Sequence, residues 1–413
     1  MNAGGSDSRY GWTIVAALAV TETVSWGVLY YAFAVFQVPM QNELGWSKSE
    51  LTGAFSLALT TSALAAFPVG RWLDRHSPRP LMTLGSVLGA LLVLAWSQVH
   101  DLLLFYLVWI GIGLAMACVL YEAAFTVVTK WFRVRRRQAL TTVTLVGGFA
   151  SFVFSPLSNR LIDAQGWRGA LITLAAVLAA ATVPLHGLFL RRTPEQAQPW
   201  APTLVPGDPP AALPERQVAV AEAIGSSAFW YLTAAFVLSS FAISAVAVHL
   251  IPYLLEGGRS AGFAAFSAGL MGVMQVPGRV VFAAAARLLP GRYEAPAVFL
   301  LQAVGLAVLA ATTSGPGVVA AVCLFGMANG MATLVRATAM ADAYGSAFYG
   351  SIAGVAATCA TAARAVAPVA AAGAYVAFNG YEPLFWLLAA CSLVAALSAW
   401  HANQRLASSR AAR

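Results

Sequence analysis

Charge is what this sequence has least of. Asp, Glu, Lys and Arg make up 10% of its 413 residues, where soluble domains average roughly 25%. With 60% hydrophobic residues, the chain carries more apolar surface than a soluble core needs. Cysteine is also scarce: Cys118, Cys323, Cys359 and Cys391 all fall in apolar stretches and none makes a C-x-x-C pair. That argues against a metal site or a disulfide framework. No G-x-x-x-x-G-K-S/T phosphate loop occurs, which argues against ATP-driven work by this chain. No H-E-x-x-H or other metal cluster appears, and no stretch reads as a soluble catalytic domain, so neither an enzyme nor a cofactor is expected. The first apolar stretch is too long for the core of a cleavable signal peptide and lacks a convincing cleavage site, so it is expected to stay as a span.

What is present is a series of twelve apolar stretches, at 12–38, 48–72, 79–98, 102–128, 138–161, 168–190, 226–254, 262–287, 293–312, 316–340, 346–378 and 382–405. Each is long enough for a helix to cross a bilayer core of roughly 30 Å. The 24 Lys and Arg residues are not spread evenly among the gaps. With the N-terminus inside, seventeen lie in cytoplasmic positions, four (Lys48, Arg160, Arg168, Arg259) in outer loops, and three (Arg279, Arg336, Arg364) within spans. The asymmetry predicts a multi-pass protein of the cell membrane with both termini in the cytoplasm. The net charge of +8 is then topological. It predicts contact with the lipid bilayer rather than nucleic acid, with at most a weak attraction to anionic lipid.

Residues 191–224 interrupt the apolar pattern with seven prolines, from Pro194 to Pro214, and read as a cytoplasmic linker, partly extended and partly disordered. The spacing predicts an all-α membrane protein: a six-helix bundle over 1–190, the linker, and a second six-helix bundle over 225–413. The halves look duplicated. The ends of spans 2 and 8 (75 to 287) and of spans 4 and 10 (130 to 342) share an offset of 212 residues. Two such bundles around a midplane site are a common transporter plan.

Between spans 2 and 3 stands Gly70-Arg71-Trp72-Leu73-Asp74-Arg75-His76-Ser77-Pro78-Arg79. It resembles the major facilitator superfamily motif G-x-x-x-D-R/K-x-G-x-R/K, with Ser77 in place of the second glycine. Gly70 allows close helix approach. Asp74 can cap a neighbouring helix N-terminus and pair with an arginine. The resemblance implies a cytoplasmic gate formed by Gly70, Asp74 and Arg75. Two further segments are similar to the monocarboxylate porters and their oxalate/formate-type relatives. Asp7-Ser8-Arg9-Tyr10-Gly11-Trp12 keeps the acid, an aromatic, the glycine and the tryptophan of the motif that opens helix 1. Trp131-Phe132-Arg133-Val134-Arg135-Arg136-Arg137-Gln138-Ala139 keeps the aromatic pair, arginines and alanine of the second motif.

Ionisable residues inside spans cost about 2.5–3.5 kcal/mol even on lenient scales, so they face the bundle interior and usually carry function. Arg279 follows Gln275-Val276-Pro277-Gly278, where proline and glycine loosen the helix and expose backbone. Its planar guanidinium suits a carboxylate, and the porter resemblance implies a substrate-binding arginine at this place. A structural arginine bonded to carbonyls is the alternative. Gln275 stands where animal porters carry an aspartate, and Tyr30 where they carry a lysine, which counts against their mode of proton coupling. Arg364, in Thr361-Ala362-Ala363-Arg364, is either a second anion contact, as the oxalate/formate resemblance implies, or a gate residue. Glu22 is a candidate proton carrier or a fixed partner for an arginine. Glu122 and Arg336 occupy related places (122 to 336, an offset of 214) and read as a charge pair or as groups with complementary roles. Tyr30, Tyr31, Trp26, Tyr121, His249 and Tyr253 are candidate cavity-lining groups, against the plainer reading of core or lipid-facing aromatics.

The expectation is a secondary active transporter, acting as a monomer, for a small organic anion with one or two carboxylates. Arg279, Arg364, Tyr30, Tyr121 and Gln275 would line its site, and protons coupled through Glu22 or Glu122 would be a possible second partner. The alternatives are a proton-coupled exporter of drugs or amphipathic metabolites, and a non-transporting sensor.

Overall fold

In the computed structural model the described residues are 9–191, 217–285 and 290–411, and among them every regular element is helical. Eleven helical stretches are long and apolar enough to cross a membrane, and one of them, Arg136–Phe189, has the length of two. Gly166 breaks it with φ +71°, ψ 167°, between the predicted spans 138–161 and 168–190. The surface shows why water is the wrong solvent. Leu84 is 67% exposed, Leu103 69% and Leu188 65%, a run of aliphatic side chains that a soluble monomer would not present.

The chain folds as two compact units. Unit one comprises residues 1–219 with Tyr344–Val355; unit two comprises 220–343 with 356–413. In unit one, α1 (Arg9–Ser25) passes through a single π-helical turn, Trp26–Tyr31, into α2 (Ala32–Leu44). Then follow α3 (Lys48–Arg75), α4 (Pro78–Trp96), α5 (Leu102–Val119), α6 (Tyr121–Trp131), α7 (Arg136–Gly147) and α8 (Ala150–Phe189). In unit two, a short α9 (Val220–Gly225) precedes α10 (Ser227–Glu256), α11 (Ala261–Val273), α12 (Gln275–Ala285), α13 (Glu294–Ala311) and α14 (Gly315–Tyr344). The series ends with α15 (Tyr349–Phe378), whose first turns cluster with unit one, and α16 (Tyr381–Ala411).

Local chemistry sets the ends of these helices. Ser47 and Glu50 form a reciprocal capping box at the start of α3, and Asp101 accepts from Leu104 N at 2.9 Å at the start of α5. Ser226 and Ser260 do the same for α10 and α11. Each satisfies a backbone donor that a helix start leaves without a partner.

The helices differ from the sequence expectation in several places, one being predicted span 4, which is divided at Leu120, an extended residue between α5 and α6. The first span runs on through Pro39 to Leu44, because the π turn and proline are absorbed inside a packed helix. Predicted span 5 is divided by a turn at Gly148–Phe149. Predicted span 8 is divided at Met274, just ahead of Pro277. Most of the predicted linker, 192–216, lies outside the described residues, as do Asp7 and Arg287. Its last part is ordered into α9, with Val218 N donating to Tyr344 O at 3.2 Å and Gln217 accepting from Ala347 N at 2.8 Å.

Candidate functional site

Unit two carries the three arginines within spans. Pro277 has no N–H, so the helix cannot continue its bonding to Val273, and Met274 closes α11 by bonding to Leu270 O at 2.9 Å. α12 restarts at Gln275. Gly278 then lies directly on the backbone of Met327 in α14, where any Cβ would collide. This close approach buries Arg279, which is 6% exposed. Gln275 is half-buried one turn earlier, on the same face. Arg336 is half-buried on α14 and Arg364 is exposed near the middle of α15.

The backbone around Arg364 is held in an unusual way. Pro368 lacks the N–H that would bond to the carbonyl of Arg364. Ser244 of α10 fills that place, donating to Arg364 O at 2.8 Å. One turn on, His249 Nε2 lies 3.1 Å from Pro368 O, and Nδ1 lies 3.4 Å from the Tyr381 hydroxyl. His249 therefore joins α10, α15 and α16, and Tyr253 bonds to Leu309 O at 2.8 Å.

Unit one carries the carboxyls and the aromatics. Glu22 is fully buried, and neither of its oxygens has a hydrogen-bond partner. The Trp26 indole, one turn on, comes up to this carboxyl without reaching hydrogen-bond geometry. Tyr121 and the Glu22 side chain both close on Gly147, and the Trp26 ring lies 5.1 Å from Tyr121 and 5.0 Å from Tyr30. Glu22, Trp26, Tyr30 and Tyr121 thus come together. Glu122 lies close enough to act on Glu22 electrostatically, and it also lines a narrow cleft with Gly70, Leu73, Thr126, Gly350 and Gly354.

Gly350 of that cleft also meets Asp74. Its carboxylate accepts from Gly350 N at 3.0 Å, Ser351 N at 2.7 Å and Ser351 Oγ at 2.7 Å, capping the start of α15. Lys130 Nζ stands 3.2 Å from the same carboxylate, with both side chains buried, and donates to Leu73 O at 2.8 Å. Gly70 and Gly350 touch backbone to backbone. The cation here is a lysine, where the sequence reading looked for an arginine. Arg75 is exposed.

One group escaped the sequence reading altogether. His186 of α8 is fully buried, with Nδ1 2.8 Å from Ser86 Oγ and 3.2 Å from Met82 O, and Nε2 3.0 Å from Thr21 Oγ1. It ties α8 and α4 to the residue before Glu22. Its only sequence signal is a histidine within an apolar run. Among the described residues no three His, Cys, Asp or Glu side chains group as metal ligands.

Comparison with known proteins agrees with this architecture. The family profile described as Major Facilitator Superfamily matches residues 18–368. Monocarboxylate transporter 11 of Homo sapiens is 30% identical over 267 residues, covering 62% of this chain and 52% of that protein. The MFS-type transporter YcxA of Bacillus subtilis is 29% identical over 170 residues, covering 40% and 41%. Matches to the curated relatives extend over about half of their length. The solved structure of the E. coli fucose:proton symporter FucP superposes with a TM-score of 0.74 at 14% identity, covering 95% of this chain and 99% of that one. At such identity the likeness establishes the fold alone.

Proposed function

The chain belongs to the Major Facilitator Superfamily, and on that premise we propose that it is a secondary active transporter that carries a small organic anion, a mono- or dicarboxylate, by alternating access. The observation that carries this reading is Arg279, a guanidinium buried within a membrane span. It sits just past a helix interruption and beside Gln275. Such a charge costs about 2.5–3.5 kcal/mol at a span centre, and its planar fork is built for carboxylate oxygens. Similarity to a monocarboxylate transporter adds to the case. Arg364 offers a second cationic contact. Glu22, a carboxyl without a hydrogen-bond partner, serves as proton carrier, with Glu122 as its electrostatic neighbour. The Asp74–Lys130 pair with the first turns of α15 serves as the gate. The protein works in the cell membrane as a monomer, with both termini in the cytoplasm.

Uptake of radiolabelled small acids into proteoliposomes tests this. Arg279→Gln is expected to lower carboxylate uptake at least about a hundredfold, the loss of a charge-assisted bidentate contact, while the protein still assembles. Wild-type uptake in that variant overturns the reading. A second reading, export of an amphipathic cation, draws on the buried Glu22 carboxyl beside Trp26 and Tyr121. Transport of lipophilic cations with indifference to carboxylates would favour it.

A further inference from the structure

The π turn in the first span has a consequence for the cargo. In an α-helix of about 3.6 residues per turn, residue i+4 shares a face with i and residue i+5 lies about 140° away. The wider π turn, closed here by Ala32 N bonding to Gly27 O, brings i+5 back beside i. Trp26, Tyr30 and Tyr31 therefore present their rings together. Trp26 lies 5.0 Å from Tyr30 and 6.2 Å from Tyr31, and the two tyrosines lie 5.2 Å apart. Tyr121 of α6 and Phe55 of α3 extend the row, at 5.1 Å from Trp26 and 5.2 Å from Tyr30. Behind it Phe33 and Trp109 are buried and packed against Phe55 at 4.6 Å and 5.6 Å, which fixes the row in place.

The front of the row is not core. Trp26, Tyr30, Tyr31 and Phe55 each keep part of their surface exposed. The exposed apolar positions of this unit are mostly aliphatic, as at Leu84, Leu91 and Leu188, with Trp72, Phe149 and Phe152 among the exceptions. A row bearing phenol hydroxyls, beside the fully buried Glu22, belongs on the polar interior of a membrane bundle. π turns are rare, persist against the better bonding of an α-helix, and gather at functional sites.

We propose that this aromatic row is a binding wall for a flat, apolar body on the cargo, so that the transported acid is an aryl or similarly planar carboxylate and not a short hydroxy or dicarboxylic acid. The inference rests on the acid-carrier reading for the charged end of the molecule and adds the chemistry of its body. Rings prefer edge or offset contacts with other rings, which an acid of one or two carbons cannot supply.

The test is uptake of radiolabelled phenylacetate and of radiolabelled acetate into proteoliposomes of the full chain. Phenylacetate is expected to show a KM about tenfold below that of acetate. Tyr30→Ala should remove most of that ratio by raising the phenylacetate KM far more than the acetate KM. Tyr30→Phe, which returns the ring, should recover it. Tyr31→Ala provides the same readout should Tyr30→Ala not assemble. Equal KM values for the two acids, with Tyr30→Ala affecting both alike, overturn the wall and leave the acid carrier standing. Uptake of neither acid overturns the acid carrier and the wall with it.

Discussion

The two units place opposite charges within their membrane helices. Unit one holds Glu22 and Glu122; unit two holds Arg279, Arg336 and Arg364. They also depart from the regular helix in different ways. Unit one divides spans at Leu120 and at Gly148–Phe149, but at Trp26–Tyr31 it widens a turn and keeps its helix running. Unit two stops α11 at Val273, restarts at Gln275, and carries Pro368 inside α15. Widening a turn changes which side chains share a face, whereas stopping a helix or placing a proline in it frees backbone groups that must find partners. Six-span halves of matching spacing can thus hold different chemistry: rings and carboxyls presented by side-chain geometry in one, guanidiniums beside loosened backbone in the other.

The largest effect expected is at Asp74, where unit one grips the first turns of α15. This carboxylate serves two backbone amides, a hydroxyl and the buried Lys130. Asp74→Ala leaves a buried ammonium without its counter-charge, and thermal unfolding in detergent should register a loss of about 3–5 kcal/mol. Adding Lys130→Met should return part of it, because the stranded charge goes too. If Asp74→Ala melted at the wild-type temperature, this cap and ion pair would contribute nothing to stability.

A smaller and more selective effect is expected at Glu22. Glu22→Gln keeps the shape and removes the titratable proton. Exchange of labelled for unlabelled carboxylate across the membrane should persist, while accumulation driven by a pH gradient should disappear. Arg279→Gln, in contrast, should remove both. The two units would then have separate tasks, with proton handling in one and anion recognition in the other. Gradient-driven accumulation surviving in Glu22→Gln would end that division.

The spans were legible in the sequence because charge is so sparse: a stretch of about 20 residues without it has few places to be other than a bilayer. Helix starts were legible where Ser47 and Glu50 or Asp101 mark them. The capping role of Asp74 could be stated from its residue type, but its cation could not. Lys130 counted only as one more basic residue near a span end, and its approach depends on how α3, α5 and α6 pack. The π turn left no trace, since Trp26–Tyr31 has the composition of any apolar helix. The same holds for the Gly278–Met327 contact, where the glycine was visible and its partner was not. His186 was missed because a histidine in an apolar run reads as packing, and its contacts come from two distant parts of the chain, Thr21 of α1 and Met82 and Ser86 of α4.

The smallest effect is the sharpest test of how unit two manages its freed backbone. Pro368 denies the Arg364 carbonyl its usual amide, and the Ser244 hydroxyl takes that place at 2.8 Å. Ser244→Ala should therefore cost about 1 kcal/mol, the net worth of one hydrogen bond. Pro368→Ala restores an N–H at the right position, and the helix can then satisfy its own carbonyl. In that background the loss of Ser244 should cost almost nothing. The expected signature is a coupling of about 1 kcal/mol between the two substitutions, read from the unfolding of the four proteins in a double-mutant cycle. Additive losses would mean that the hydroxyl is not a stand-in for the missing amide, and that the backbone beneath Arg364 is held by packing alone.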